Sequence, residues 1–581
     1  MQRFRGRKGM DRDRRGAILV LTAVVMVLMF SIAALGIDLS YLTLLKNQLQ
    51  TAADAAALAG ALELSGVAEP SVVRANALAA IQDVASKHKN GDKSSVTVDA
   101  ADVTFGKSSW NTATQSYTTQ WGNGYVPYNV VKVRAERTAG VNGAPDDRVP
   151  LLFASIFGQS KATIGAEASA SFQPRDIMVV LDYSGSMNDD STFAQISSMG
   201  RTYIESNSLT MWHELGSPIY GKLTFTPSYA VLSGVAASGT IPHIDTTYKR
   251  TSIAVISTSN LTQVKLQFST SATQTFTGLS AQTGTFAGTG SNAGKEITYA
   301  WIKSGGNQAL SSGNLGEQFT FSATTIKTAL GLNIAYPYPS GSWSDYISKV
   351  QASSGDIKNA GYRDMFGYMT WIEYLQTYQP SSAQTPDLWK TSEQPVGVLK
   401  DGVDEFINYI QSIEADDYVG LSIYTHTNST GAILEHPMST NLDQIKTTAR
   451  HRQAGHYLAG TNISAGMLVA RQEIVARARP RAFRLMIVMT DGEANLPNNT
   501  TTAKAAVLTE ANAAAAAQIK IVTISLGSGA DISLMQQVAD ITGGIHFNVP
   551  GGVSIATVQA NLREVFRQVA SSRPLRLINS D

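Results

Sequence analysis

The chain has 581 residues and contains no cysteine. Disulfide bonds, thiolate metal ligands and cysteine nucleophiles are therefore excluded. Charge is also scarce, at 16% of residues with a net charge of +1, and no long basic stretch lies beyond the N-terminus, so nothing indicates nucleic-acid binding. Hydrophobic residues make up 43% of the chain. This length and composition predict several folded domains without thiol chemistry.

Motifs typical of enzymes are also missing. Residues 288–295 look like a phosphate-binding loop, but Thr289 replaces a required glycine and Glu296 replaces the required serine or threonine. His451 and His456 are five positions apart, which does not suit two zinc ligands on one helix face. We therefore predict that the chain is not an enzyme.

One long apolar segment, Ala17 to Ile37, follows a tail rich in arginine and lysine. At about 1.5 Å per residue, a helix over this segment is about 32 Å long and can cross a bilayer. The basic flank predicts a cytoplasmic tail at 1–16 and a single transmembrane helix at 17–37. The rest would lie outside a bacterial inner membrane, in the periplasm. A signal peptide cleaved near residues 31–34 is the alternative.

The sequence after this segment remains helical and then becomes rich in strands. Apolar residues recur at helical spacing on one face between Leu45 and Ala56. Short β-rich runs follow between residues 93 and 172, and Pro150–Gly158 is predicted to form a short helix. We expect residues 38–172 to form an exposed helix and a small α+β module.

This N-terminal pattern resembles the TadG-like proteins of Flp pilus assembly and, more distantly, the TadE-like ones. The resemblance rests on Arg14–Ala17, the apolar segment, Gly36–Asp38 and Gln50–Ala57. It implies a pilin-like membrane segment and a pilus component as a partner. Leu21 stands where prepilins carry glutamate, so the resemblance does not extend to prepilin processing.

Three oxygen-bearing side chains alternate directly after an apolar run that is predicted to be a buried strand. The run is residues 176–181, and Asp182, Ser184 and Ser186 follow it. Their spacing allows all three oxygens to face one point at the end of the strand. Oxygen ligands suit a hard divalent cation, so this run is a candidate metal-binding loop.

Two later segments supply further oxygens. Thr461 precedes a predicted helix, and Asp491 follows the apolar run 485–489. Ligands of open α/β sheets gather beyond the carboxyl ends of the strands, where we expect these segments to meet the first loop. Together the segments resemble the von Willebrand factor A domain and its metal-ion-dependent adhesion site. The resemblance implies Mg²⁺ (or Mn²⁺ or Ca²⁺), an open position for a partner's carboxylate, and five ligand residues: Asp182, Ser184, Ser186, Thr461 and Asp491.

The interval between Ser186 and Thr461 is several times longer than this family usually has. We therefore predict a split A domain, at 174–190 and 395–572, with an insertion at 191–394. Within the insertion, about 217–330 is predicted to resemble a β-sandwich and 331–394 to be mostly helical. Alternating strands and helices after residue 395 predict a Rossmann-like, doubly wound α/β sheet.

These features together predict a membrane-anchored, extracytoplasmic protein that binds partners through a metal-dependent A domain. Its role would be Tad/Flp pilus assembly or surface adhesion. Its partner would be a pilus component or a protein presenting Asp or Glu. One alternative is a structural envelope scaffold whose A domain needs no metal. A metal-assisted hydrolase is a further alternative.

Overall fold

The computed structural model describes residues 13–64, 68–140, 146–234, 242–305, 316–413, 416–425, 431–551 and 554–578. Its helices are α1 Asp13–Leu62, α2 Pro70–Ser86, α3 Ile196–Met199, α4 Arg201–Glu214, α5 Ala323–Ala329, α6 Trp343–Val350, α7 Asp356–Asn359, α8 Tyr368–Tyr378, α9 Val396–Ile413, α10 Leu442–Arg450, α11 Ile463–Arg477, α12 Thr500–Ala516, α13 Ile532–Thr542 and α14 Ile555–Ser571.

Its strands are β1 Val103–Asn111, β2 Ser116–Trp121, β3 Val130–Arg137, β4 Val149–Pro150, β5 Lys161–Ala162, β6 Ile164–Phe172, β7 Arg175–Asp182, β8 Ser228–Tyr229, β9 Val231–Ser233, β10 Ile244–Tyr248, β11 Ser252–Ser257, β12 Leu261–Phe268, β13 Thr273–Thr277, β14 Thr283–Ala287, β15 Ile297–Ser304, β16 Glu317–Thr320, β17 Met365–Phe366, β18 Tyr418–Tyr424, β19 Ala432–Ser439, β20 Phe483–Thr490, β21 Lys520–Leu526, β22 His546–Val549 and β23 Leu575–Ile578.

Helix α1 is continuous through the predicted membrane segment and the exposed helix that follows it. From Ile18 onward it is long and apolar enough to cross a membrane, and none of the residues that the structure describes buries its most apolar stretch. From Leu45 onward its apolar face is buried in the first module. One helix therefore combines a predicted membrane segment with part of a domain core.

The first module is a five-stranded antiparallel sheet against which α1 and α2 pack. Its strand order is β2-β1-β3-β6-β23, so the last strand of the described chain completes the first sheet. Strands β4 and β5 form a separate ribbon. The helix predicted over 150–158 is wrong in extent, because only Ala154–Phe157 forms a 3-10 turn.

The α/β sheet has six strands in the order β19-β18-β7-β20-β21-β22. Strands β18, β7, β20, β21 and β22 are parallel, and β19 pairs antiparallel with β18 at the edge. Helices α9, α10 and α14 contribute to the core on one face, and α11, α12 and α13 to the core on the other. The predicted mixed α/β class is confirmed.

Between β7 and α9 the chain forms two four-stranded antiparallel sheets, β14-β11-β10-β9 and β13-β12-β15-β16. Helices α3 and α4 precede these sheets, and α5 to α8 follow them. The sheets and helices share one buried cluster that includes the fully buried Trp371 of α8. In sequence order, helices therefore come both before and after these sheets, whereas the sequence predicted helices only after them.

Candidate functional site

The predicted ligand residues lie where the parallel strands of the α/β sheet end. Asp182 is the last residue of β7, and Asp491 directly follows β20, the neighbouring parallel strand. Ser184 and Ser186 lie at the start of a 3-10 turn after β7. Thr461 lies just before α11, whose cap Asn462 accepts a hydrogen bond from the amide of Ala465.

The structure brings the hydroxyls and carboxylates of these segments together. The Ser186 hydroxyl donates to Oδ1 of Asp491 at 2.8 Å, and its oxygen lies 3.1 Å from that of Ser184. A Cβ atom placed on Gly492 would be 3.6 Å from Ser186 Oγ and 4.0 Å from Thr461 Oγ1. The first loop, the Thr461 segment and the Asp491 segment therefore meet around Gly492.

The carboxylate of Asp182 is fully buried behind these hydroxyls. It accepts hydrogen bonds from the amide of Ser184 at 2.9 Å, the hydroxyl of Thr490 at 2.9 Å and the hydroxyl of Tyr424 at 3.3 Å. Burial raises the pKa of Asp182, and these hydrogen bonds only partly oppose the rise. The sequence motifs did not indicate the contribution of Tyr424, because it comes from β18.

Asp491 is the second buried carboxylate, with 8% of its surface exposed. Burial and the charge of Asp182 raise its pKa well above the usual range, and the hydrogen bond from Ser186 opposes the rise. Two carboxylates this close repel each other when both are ionised. A bound cation would remove that repulsion.

Two further acidic residues, Asp189 and Asp190, follow the first loop and were not predicted as part of the site. Their charges also raise the pKa of Asp491, which places them in the same electrostatic environment. Burial, then the charges of Asp190 and Asp356, raise the pKa of Asp189 to about 6. Their position only three and four residues after Ser186 in the sequence was the available signal. They make the edge of the site strongly acidic.

The donor set of the site fits a hard divalent cation. It consists of two carboxylates and three hydroxyls, all oxygen ligands. Among the described residues, no three or more His, Asp and Glu side chains come together as a metal-binding cluster. Mg²⁺ sites with one or two carboxylates usually keep several water ligands, so water would share the coordination with these side chains.

A cavity of about 760 Å³ lies next to this edge of the sheet. The first loop contributes Gly185 and Asp189 to its wall, and α8 of the insertion contributes Gln376 and Tyr378. The loop before Thr461 contributes His456, among other residues. The cavity is thus shared between the candidate ligand loop and the insertion.

Hydrogen bonds fix the insertion to the chain that follows the first loop. The Asn188 side chain donates to the carbonyl of Gln376 at 3.0 Å, and the amide of Phe193 donates to Glu373 at 2.8 Å. Glu373 is almost completely buried, and burial raises its pKa to about 8. Helix α8 is therefore held beside the site by buried polar contacts.

Comparison with protein families adds information on the N-terminal part. Residues 16–63 match the family described as Flp pilus-assembly TadE/G-like, and residues 59–170 match the family described as Tad-like Flp pilus-assembly. The N-terminal region is similar to Tad pilus-assembly proteins. This similarity and the apolar helix α1 support a membrane-anchored protein with a role in Flp pilus assembly. No curated protein matches the chain significantly.

Solved structures similar to the chain include an aerotolerance-related membrane protein from Bacteroides fragilis. It shares 13% identity over 31% of this chain and 90% of its own, with a TM-score of 0.24. BatB from Bacteroides thetaiotaomicron shares 18% identity over 30% of this chain and 86% of its own, with a TM-score of 0.23. The VWA domain of SpRpn10 shares 11% identity over 29% and 82%, with a TM-score of 0.24. These TM-scores are too low to support a functional argument.

Proposed function

We propose that this chain is a membrane-anchored pilus-assembly or adhesion protein whose α/β domain is of the von Willebrand factor A type and binds a partner protein through a divalent cation. The observation that carries the proposal is the grouping of two buried carboxylates with three hydroxyls at the carboxyl edge of the sheet. The basic N-terminal tail favours an extracytoplasmic position for this domain.

Five residues would hold the cation, which we propose to be Mg²⁺, or else Mn²⁺ or Ca²⁺: Asp182, Ser184, Ser186, Thr461 and Asp491. When bound, the cation supplies an electrophilic position that accepts an Asp or Glu carboxylate of the partner. Thr490 and Tyr424 orient the Asp182 carboxylate through their hydrogen bonds. The side chain of Asn495 accepts a hydrogen bond from the Thr461 amide at 2.9 Å and so fixes that segment.

The insertion would control which partner reaches the cation. Its helix α8 forms part of the cavity beside the first loop, so a partner approaching the site from this side must contact the insertion. The shape and polarity of that wall would favour some partners over others. We expect replacement of Tyr378, which is 37% exposed, to change partner preference while leaving cation affinity unchanged.

The test is a titration of the full-length protein in lipid nanodiscs with Mn²⁺, followed by electron paramagnetic resonance. We expect saturable binding that Mg²⁺ displaces and that Asp182→Asn abolishes. Glu493→Gln is the matched control, because Glu493 lies two residues from Asp491 but faces Lys504, with 57% of its side chain exposed. Equal Mn²⁺ binding by the wild type and Asp182→Asn would refute the metal site.

The partner is tested by chemical cross-linking in cells that assemble Flp pili, with and without EDTA. We expect a pilus component to cross-link to the wild type only when divalent cations are present. Cross-linking of the same component by Asp182→Asn would separate partner binding from the cation.

A metal-independent scaffold is the second candidate function. It is favoured by the hydrogen bonds that already satisfy the site, since Asp182 has three donors and Asp491 accepts from Ser186. Such a network can stabilise the loops without a cation. Normal pilus assembly in a strain carrying Asp491→Ala would support the scaffold and contradict the metal-dependent function.

A further inference from the structure

The loop between β4 and β5 carries four exposed apolar side chains. Leu152 is 61% exposed, Phe153 37%, Ile156 77% and Phe157 63%. Single exposed apolar side chains are ordinary, but a contiguous group of large ones indicates a contact surface. We call this group the apolar loop.

A buried carboxylate fixes the apolar loop to α1. Asp38 is only 2% exposed, and its two oxygens accept the amides of Leu152 at 2.9 Å, Phe153 at 3.0 Å and Ala154 at 2.6 Å. Asp38 directly follows the apolar segment 17–37. The loop is therefore held at the level where the membrane-spanning length of α1 ends.

The surface of α1 remains apolar and exposed on both sides of this level. Leu35 is 61% exposed and Leu39 is 64% exposed. The apolar loop is hydrogen-bonded to Asp38, which lies between these two leucines in the sequence of the helix. The loop is therefore next to a part of α1 that is predicted to contact lipid.

The backbone of the loop is suited to the edge of a bilayer. The amides of Ile156, Gly158 and Gln159 donate within the loop at 3.0, 3.1 and 3.1 Å, and Asp38 accepts three more. Few donors therefore need water, which lowers the cost of entering an apolar medium. Phe153 and Ile156 are spaced i and i+3 across the 3-10 turn, so they share one side, and the exposed Phe157 lies next to Ile156.

We propose that the apolar loop inserts into the headgroup–acyl boundary of the bilayer that α1 crosses. The side chains of Ile156 and Phe157 enter the lipid, and the first module rests on the membrane surface through a second contact point. Shallow insertion of large apolar side chains is the usual mode of such interfacial contacts. Two contact points fix the tilt of the module, which a single helix cannot do.

The absence of cysteine makes a site-specific probe direct. Ile156→Cys and Phe157→Cys are each labelled with the fluorophore NBD in the full-length protein, in vesicles of phosphatidylethanolamine and phosphatidylglycerol. Val72→Cys is the matched control, because Val72 is an aliphatic residue that is 48% exposed. Val72 lies near the start of α2, which follows the C-terminal end of α1. That end of α1 is about 36 Å from Asp38, because an α-helix rises about 1.5 Å per residue.

We expect a blue-shifted emission at positions 156 and 157 and strong quenching by nitroxide-labelled lipids, with neither effect at position 72. Each labelled variant is compared by circular dichroism with the wild type, and the second loop position replaces the first if one fails to fold. Emission like that in water at both loop positions would overturn the proposal. Shielding from aqueous iodide without quenching by lipid nitroxides would also overturn it, because it would mean that protein covers the loop.

Discussion

Replacing Asp417 with asparagine would leave two buried arginines without the carboxylate that they share. Asp417 lies just before β18, and its side chain is fully buried, like that of Arg175 at the start of β7. Its oxygens accept the Arg175 amide at 2.9 Å and the Arg175 guanidinium at 2.8 and 3.0 Å. Arg573, with 1% of its side chain exposed, donates at 2.7 Å.

The expected loss of stability follows from this burial. Removing one member of a buried ion pair costs about 3–5 kcal/mol, because its partner stays buried and uncompensated. Asp417 serves two buried arginines, so we expect about 5 kcal/mol, a large share of the roughly 5–15 kcal/mol that stabilises a typical domain. The control is Asp443→Asn. Asp443 forms an ion pair with Lys446, and its side chain is 76% exposed. We expect no measurable change there.

Hydrogen exchange with mass spectrometry measures the effect in the α/β domain alone. We expect the amides of β7 and β18 to lose protection in Asp417→Asn and to keep it in Asp443→Asn. Burial raises the pKa of Asp417, but the charges of Arg175 and Arg573 outweigh it and hold the pKa below the usual value. The stabilisation by the Asp417 ion pairs is therefore present at pH values above the pKa of Asp417 in the unfolded chain. It disappears only as the pH falls through the lower pKa that Asp417 has in the folded protein. Equal protection in both variants would refute the reasoning.

Three further predictions concern the site, the insertion and the C-terminal strand. Calorimetry should detect that Mg²⁺ at 100 times its Kd stabilises the wild type by about 2.7 kcal/mol. Asp491→Asn should lose this stabilisation. In EDTA the variant should be more stable than the wild type, because it removes the repulsion between the carboxylates of Asp182 and Asp491. Because the pKa of Glu373 is raised to about 8, wild-type stability should fall by roughly 4 kcal/mol as pH rises from about 4.5 to 8. Glu373→Gln should remove this contribution from the pH dependence measured by urea unfolding and leave that of the other raised carboxyls, such as Asp189. Truncation after Arg573 should expose the β6 amides to exchange while β7 stays protected.

Much of the α/β domain could be predicted from the sequence. The alternation of strands and helices predicted after residue 395 is observed, for example in the strands at Tyr418–Tyr424 and Lys520–Leu526 and the helix at Ile532–Thr542. These elements combine a local apolar pattern with turn residues at both ends, so the sequence nearby specifies them. The five candidate ligand residues were also found in this way, since each lies at or next to the end of such an element. Their role in binding a cation stays a prediction.

Other elements depend on contacts between distant parts of the chain. Strand β23 forms because β6, some 400 residues earlier, offers it a free edge, and its own four residues carry little signal. The turn at Ala154–Phe157 is capped by Asp38, which a local reading assigns to the end of a membrane helix. Tyr424 reaches Asp182 only because β18 and β7 are neighbours in the sheet. Topology, rather than local pattern, determines these features.

The return of β23 to the first sheet has a mechanical consequence. The α/β domain is joined to the membrane-proximal module by two chain connections, one between β6 and β7 and one between α14 and β23. A side contact adds to them, since the Trp110 amide donates to Asp416 at 2.9 Å. A load applied to the α/β domain therefore reaches the module along two covalent routes, and the domain cannot swivel about a single linker. Two covalent connections therefore restrict rotation of the α/β domain relative to the first module more than one connection would.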